Sequence, residues 1–519
     1  MNEQKLNFVC LVADQFRFDL MGCAGHPIVQ TPNIDRLAAN GVRFDRCYTV
    51  QPMCMATRST WLTGRTPRGH GVRCNGIPLR KDIPTITEAL TQAGYGTHSI
   101  GKIHVNPWMP NKNYDLEKLI PEEWPEAIAL WDSGRIKQLP RPYYGFETTD
   151  ALCGWWSGNY GQWLKEREPD FMNLVQPPAG IKVNPQGILD IPEKTYPIRL
   201  PPELHYTRWA TECSEKFFKS AKASGKPFFL WHSIPDPHPP FSVSEPYYSM
   251  YKSAKIPELV RREGALDSLP PHYKKMFNEN LFTAGRLAKT NVPRDLEIAA
   301  QRVVYGIITQ WDEMVGRILR QLKANGLMEN TVIVVMSDHG QMLGDHWMHN
   351  MPPTHLDGVL RVPSIWYCPK IFGKNKITKA LASHLDFAPT ILELAGVQVP
   401  EGNTPPSPEA EQQRLPWPGK SLVPLLTGVA DKVQDSVIAE NDEDYLGMRQ
   451  HTVITARYHL TAYIGESYGE LFDLENDPRQ LYNLWDSSEY KETKRDLLVL
   501  LMERFAETDS TLPRRLGHA

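Results

Sequence analysis

A doubly wound α/β domain carrying a small C-terminal α+β subdomain is the fold predicted for this chain, on three observations. Continuous apolar runs alternate with helical stretches along most of its 519 residues; residues capable of chemistry stand just after those runs; and beyond about residue 435 the alternation gives way to short strands and a final helix. A run without polar interruption is how a parallel strand buried on both faces reads, and ligands collect beyond the carboxyl ends of such strands. The length suffices for one large domain, 1–434, and a smaller one, 435–519.

The first run, residues 8–13, ends at Asp14 and Gln15. Residues 31–38 then read as a capped helix with Ile34, Leu37 and Ala38 in register, stopped near Gly41. Pro52 disfavours helix at Gln51, whereas the residues from Ala56 keep helical spacing as far as Gly64. Cys54 is therefore expected just before or at a helix N-terminus. The N–H groups there lack helical partners and face outward with the positive end of the dipole, which suits an anion; Arg58, one turn on, projects to the same side.

A short helix over 87–93 ends at Gly94, and a strand over 96–101 delivers Lys102 and His104. From about 106 to 204 the chain is rich in Pro and Trp and has no long periodicity. That composition predicts an elaborated loop region near the pocket mouth, with Trp155, Trp156, Tyr160 and Trp163 able to stack on an aryl ring or a sugar. Order returns with a helix over 209–221 and a strand over 227–233 that leads to Asp236 and His238. A long helix over about 296–325 stops at Gly326, and a β-branched strand over 331–337 ends at Asp338 and His339. A Pro-rich stretch, 400–418, reads as a surface excursion. The appendage then shows strands over 452–455, 459–464 and 470–474 and a helix over 490–507, with no internal repeat anywhere in the sequence.

Composition excludes several classes of function. A formal net charge of -3 gives no electrostatic basis for holding nucleic acid, and no apolar stretch approaches the roughly 18 residues that cross a bilayer. The eight cysteines include no C-x-x-C pair, so neither a zinc site nor a disulfide framework is expected. The first seven residues lack a secretory pattern and the apolar run after them is short, which reads as a cytoplasmic protein. A homo-oligomer is compatible with all of this.

Asp14 and Gln15 at one strand end, with Asp338 and His339 at another, can offer three oxygen ligands and one imidazole to a divalent cation. Either pair alone is equally what a turn or a helix cap requires. Cys54 changes the balance. Followed by Ala56, Arg58 and Thr63-Gly64-Arg65, it resembles the signature of the type I sulfatases of the alkaline phosphatase superfamily, whose cysteine is oxidised to formylglycine (3-oxoalanine). That family usually has Pro where Ala56 stands. Gly101-Lys102-Ile103-His104 resembles its G-K-x-H motif and Pro237-His238-Pro239-Pro240 its P-H-x-P motif. The similarity continues through residues 337–346 and 470–478, so it spans nearly the whole chain.

The resemblance implies an alkaline-phosphatase-like fold, with helices on both faces of a mostly parallel sheet, and hydrolysis of a small-molecule or saccharide sulfate ester. It implies one divalent metal on Asp14, Gln15, Asp338 and His339, calcium first and manganese as the alternative, and maturation of Cys54 by a formylglycine-generating enzyme. Arg58 and Lys102 would hold the sulfate oxygens, His238 would protonate or position the leaving oxygen, and His104 would take the proton that lets sulfate depart through a covalent sulfo-enzyme intermediate. Slow ester hydrolyses need roughly 8 to 23 kcal/mol of transition-state stabilisation and one positioned donor supplies about 3 to 4, so a constellation is required. Gln15 in place of an acid and His339 in place of Asn resemble the phosphonate monoester hydrolase subgroup, which keeps phosphonate monoester or phosphodiester hydrolysis as the alternative. The family's Gly-Lys after Leu343-Gly344-Asp345-His346 is missing, and His349 or His355 is expected to replace that lysine as a substrate-binding cation.

Overall fold

The sheet is built outward from the run Phe8-Val9-Cys10-Leu11-Val12, whose side chains are all fully buried. In the computed structural model, which describes residues 5–110, 115–177, 195–279, 282–283, 286–287, 292–398, 417–442 and 447–508, the principal elements in chain order begin with β1 (Asn7–Ala13), α1 (Pro32–Ala39), β2 (Val42–Tyr48) and α2 (Cys54–Thr63). They continue with α3 (Ile86–Gln92), β3 (Gly96–Gly101), β4 (Thr148–Cys153), α4 (Tyr206–Ser224), β5 (Phe228–Ser233), α5 (Arg294–Ala324) and β6 (Thr331–Ser337). Then come β7 (Ser364–Tyr367), β8 (Lys376–Ser383), α6 (Phe387–Ala395), β9 (Ser436–Asn441), β10 (Gln450–Thr455), β11 (Tyr458–Tyr463), β12 (Gly469–Asp473) and α7 (Lys491–Ala506).

The large sheet runs β2-β7-β6-β1-β5-β3-β4, with short strands beside both β2 and β4 and with β8 paired to β2. The five strands from β6 to β4 are mutually parallel; β7 runs against both its neighbours. Side chains alternate between the faces of a strand, and the two cores divide accordingly. Phe8, Cys10 and Val12 pack with Trp61 of α2, Leu90 of α3 and Ile391 of α6. Val9, Leu11 and Ala13 pack with Leu37 of α1, Phe218 of α4 and Trp311 of α5. Helices thus cover both faces, as the predicted class requires.

Register brings the chemistry together. Ala13 lies beside Ser337 of β6, and Val12 beside Ser233 of β5. The residues that follow these three strands therefore emerge side by side at one sheet edge, although the strand ends Ala13, Ser233 and Ser337 are far apart in the chain.

The carboxyl-terminal strands β9-β10-β11-β12 form a separate antiparallel sheet. One face, with Ile438, Val453, Leu460 and Leu471, is covered by Leu497, Leu501 and Phe505 of α7. The other, with Val437, Ile454 and Phe472, packs on Tyr48, Met342, Leu356 and Leu381.

Two expectations change. Within 106–204, Thr148–Cys153 is a strand of the main sheet, parallel to β3, and helices run over Ile128–Asp132, Asn159–Arg167 and Phe171–Val175. Strand and helices this short leave too little periodicity to read. Thr31 does not cap α1: its hydroxyl accepts from Gly22 N and donates to Asp35. The acceptor for that helix end is Asp312 of α5, whose carboxylate takes the N–H groups of Asn33 and Ile34. Most of the Pro-rich stretch 400–418 lies outside the described residues.

Candidate active site

Met53 has the extended backbone of an N-cap but no capping side chain, so α2 begins at Cys54 with its first N–H groups unclaimed by a cap. Asn75 Oδ1 accepts the N–H of Met55 at 3.0 Å. Every residue of α2 is buried, Arg58 included at 1% exposure. A guanidinium so deep must be paired, because an isolated buried charge is prohibitively costly. Arg58 Nε and Nη2 reach Asp338 Oδ2 at 2.9 and 2.8 Å, while Nη1 donates to Ser233 Oγ at 2.9 Å and to Lys102 O at 3.1 Å.

Around Cys54 the structure gathers Asp14, Asp338 and His339, each offering one ligand atom, all within 4.8 Å of one another. Cys54 Sγ lies 3.1 Å from His339 Nε2 and 3.7 Å from Asp14 Oδ1. His339 Nδ1 donates to Gly340 O at 3.0 Å, and its Nε2 is turned into the cluster. That second-atom bond is how a metal-ligating histidine is usually oriented. Gln15 joins through its backbone N–H, which donates to Asp338 Oδ1 at 3.0 Å. Its amide is oriented by Gln341: Gln15 Nε2 donates to Gln341 Oε1, and Gln341 Nε2 donates to Gln15 O, both at 3.1 Å. Gln15 Oε1, fully buried, has no hydrogen-bond partner among the described residues.

Two carboxylates and an imidazole, with an unpartnered buried carbonyl oxygen on the residue whose N–H binds Asp338, make a donor set that fits a divalent cation. Gln15 also has φ 65, a left-handed conformation that is strained for a residue with a Cβ and persists where surrounding contacts hold it.

The charges are nearly balanced. Two carboxylates, Asp14 and Asp338, face two cations, Arg58 and Lys102, whose ammonium contacts Asp14 Oδ2. A divalent ion added to that set leaves a surplus of positive charge for an anionic substrate. Burial by itself would raise the Asp14 carboxyl, but Lys102, His238 and Arg58 outweigh it and hold the group far below the usual carboxylate range. Burial, reinforced by Asp14, pushes the Cys54 thiol well above its ordinary value. A thiol that keeps its proton is a poor nucleophile.

Lys102 follows Gly101, which has φ 92 and where a Cβ would collide with Ser233 O; this is why glycine precedes the lysine. Lys102 N donates to Ser233 O at 2.8 Å, and its ammonium lies 4.6 Å from the centre of the Trp108 ring. His104 stacks on the same indole at 3.9 Å, and burial together with Lys102 lowers its pKa well below the ordinary imidazole value. His238 Nδ1 donates to Pro239 O at 2.6 Å, so a proton exchanged with a substrate passes through Nε2; burial lowers this pKa too, against the pull of Asp14. Trp155 lies 5.6 Å from the His238 ring and meets Trp108 edge-on at 6.4 Å. Of the other aromatics singled out, Trp156 and Trp163 pack on Tyr160, which in turn packs on Tyr206 and Trp209.

The two histidines expected to replace the family lysine pair with other residues in the hydrogen bonds seen among the described residues. His349 Nε2 lies 3.1 Å from Glu297 Oε1. His355 Nδ1 pairs with Thr452 Oγ1 at 2.6 Å, and its buried Nε2 has no partner among the described residues. Burial, with His459 and His451 nearby, lowers the His355 pKa well below the ordinary value, so at neutral pH this ring is an uncharged donor or acceptor and not a cation. Ser233 and Gln341 escaped the sequence reading. Ser233 was open to the strand-end argument used for Asp14, and Gln341 lies within the family-like stretch 337–346, where no role was read for it.

A family model described as Sulfatase matches residues 6–397, and one described as N-sulphoglucosamine sulphohydrolase, C-terminal, matches residues 354–507. An arylsulfatase of Clostridium perfringens is 29% identical over 94% of this chain and 92% of its own length. A multifunctional alkaline phosphatase superfamily protein of Trinickia caryophylli is 28% identical, covering 98% of this chain and 96% of its own. Among solved structures, the phosphonate monoester hydrolase of Silicibacter pomeroyi superposes with a TM-score of 0.78 at 23% identity, over 99% of this chain and 98% of that one.

Proposed function

The chain belongs to the sulfatase family and hydrolyses sulfate esters, and from that premise we propose which of its residues carry the reaction. The observation that carries the reading is the cluster of Asp14, Cys54, Asp338 and His339 ligand atoms within 4.8 Å, at the start of a helix whose Arg58 reaches back into it. Asp14, Asp338 and His339, with Gln15 Oε1, would hold one divalent cation, calcium before manganese because three of the four donors are hard oxygens. With that ion and a formylglycine made from Cys54 by a formylglycine-generating enzyme, the site would supply an activated hydroxyl for attack on sulfur.

The rest falls to side chains of this chain. Arg58 and Lys102 neutralise and orient the sulfate oxygens, and two cations in a dry site act far more strongly than in water. His238, whose exchangeable position is Nε2, handles the proton of the leaving oxygen. His104, kept neutral by burial and by Lys102, is in the form that accepts a proton. His355, whose buried Nε2 has no partner among the described residues, would stand in for the family lysine as an uncharged hydrogen-bond partner. The half-buried Trp108 and Trp155, flanking His104 and His238, favour an aryl leaving group over a saccharide. A reducing compartment such as the cytoplasm is consistent with the absence of disulfides among the eight cysteines.

The test measures turnover of an aryl sulfate, a sugar sulfate, a phosphonate monoester and a phosphodiester by one preparation, with mass spectrometry of the peptide that contains Cys54. We expect aryl sulfate to be turned over best, in proportion to the fraction of Cys54 converted to aldehyde. Full activity in protein holding only the thiol would remove Cys54 from the reaction. Gln15 and His339 favour the phosphonate reading, whereas Lys102 and His104 weigh against it; a preference for the phosphonate would reverse the substrate assignment.

A further inference from the structure

Glu126 is a carboxylate with 2% exposure, deep inside the Pro- and Trp-rich segment and outside every motif read from the sequence. It is surrounded by donors. Oε2 accepts the backbone N–H of His104 at 2.8 Å and the indole N–H of Trp108 at 3.3 Å. Oε1 accepts the N–H groups of Val105 and Asn106, each at 3.1 Å, and the Tyr143 hydroxyl at 2.8 Å. Three successive backbone N–H groups converging on one anion form a nest, and here the turn starts at His104 with φ 57. A left-handed residue with a Cβ is unfavourable and holds only where the surroundings over-determine it.

The consequence reaches the reacting groups. The same Glu126 oxygen that anchors the His104 backbone anchors Trp108, and Trp108 is stacked on the His104 ring at 3.9 Å and lies 4.6 Å from the Lys102 ammonium. Asn106 Nδ2 donates to Tyr143 Oη at 2.8 Å, closing the network from its far side. We propose that Glu126 is a positioning residue that fixes, through Trp108 and the 104–106 backbone, where Lys102 and His104 stand in the site. It touches no substrate and acts only through those two side chains. This inference rests on the roles given above to Lys102 and His104.

Glu126→Gln is the variant of choice, because it keeps the shape while replacing one of the two acceptor oxygens by a donor amide. Two measurements decide. In hydrogen exchange of the folded protein, the amides of 104–106 should lose protection while those of β1 and β6 keep theirs; unchanged protection at 104–106 overturns the proposal whether or not the protein is an active sulfatase. In a double-mutant cycle on an aryl sulfate, Glu126→Gln should lower kcat/KM by roughly 10- to 100-fold in the wild-type background, as small misplacements do. The same change should have less than about a threefold effect in a Lys102→Ala/His104→Ala background, where both of its targets are gone. Equal losses in both backgrounds would mean that Glu126 only stabilises the fold, and overturn the proposal. Tyr143→Phe, which removes one donor and leaves the backbone nest, guards against a Glu126 variant that does not fold. It should shift exchange at 104–106 in the same direction by a smaller amount, and no shift in either variant overturns the anchoring. Loss of sulfatase turnover in the wild type would strike the functional reading alone, since the exchange experiment stands without it.

Discussion

Asp338 serves three partners at once. Its Oδ2 holds the Arg58 guanidinium, and its Oδ1 accepts the N–H groups of Gln15 and His339. Removing one member of a buried ion pair costs about 3 to 5 kcal/mol, because the other charge is left unpaired. Asp338→Ala should therefore lower stability by that amount and abolish activity, and it should lose bound metal in elemental analysis. Wild-type protein should lose thermal stability on chelation, since an ion that binds only the folded chain stabilises it. The variant should be indifferent to the chelator, and an equal drop in both would take Asp338 off the ligand list. The acidic half of this site was legible in the sequence because Asp14 and Asp338 follow apolar runs. Glu126 was not, since an acid in a stretch without periodicity says nothing about the three N–H groups that fold onto it.

At the scale of elements, the sharpest difference concerns α1. Thr31 occupies the position from which a hydroxyl normally caps, yet Asp312, in the middle of α5, performs the capping by accepting from Asn33 N at 3.1 Å and Ile34 N at 2.8 Å. The cap is tertiary, so helix ends read from local sequence cannot find it. Burial raises the Asp312 carboxyl to about 6 against the opposing hydrogen bonds from Ile34 and Asn33. The sign follows from the raised value. The unfolded chain gives up this proton near its ordinary 3.8, and the folded chain holds it until about 6. Stability therefore falls as pH rises through that window, by something on the order of 3 kcal/mol from this group alone. Asp312→Asn should flatten the decline between about pH 4 and 6 in denaturant titrations. Asp312→Ala should in addition lose the cap, worth about 1 to 2 kcal/mol. A slope unchanged in Asp312→Asn would show that this carboxyl ionises no later than in the unfolded chain.

At the scale of the whole molecule, the small sheet β9 to β12 is fastened to the loop that leads into α2. Glu440 N donates to Val50 O at 2.8 Å, and Gln51 Nε2 donates to Asn441 Oδ1 at 3.3 Å. Beneath it, Val437, Ile454 and Phe472 share a core with Tyr48, Leu381 and Met342. Truncation after residue 434 would bare that apolar face and release the approach to Cys54. The expected outcome is a shortened chain found mainly in the insoluble fraction, and any soluble part should bind a hydrophobic dye. A truncated protein that stays soluble and fully active would make the small sheet an independent passenger.

The sequence by itself determined the fold class and singled out the residues that gather around Cys54. Burial on both faces forces apolar runs onto parallel strands, and reactive groups are confined to the ends of those strands, so both leave a local trace. It also carried the Gly before Lys102, whose φ and close approach to Ser233 admit no side chain. Tertiary structure alone decided which donors meet. Gln15 Oε1 is left open because Gln341 takes the other end of the amide, α1 is capped from α5, and the His104 turn is held by a glutamate 22 positions away. His355 is kept neutral by burial near two further histidines. Partners of this kind are chosen by strand register and by what is left unsatisfied after the core has packed, and neither quantity exists until the chain has folded.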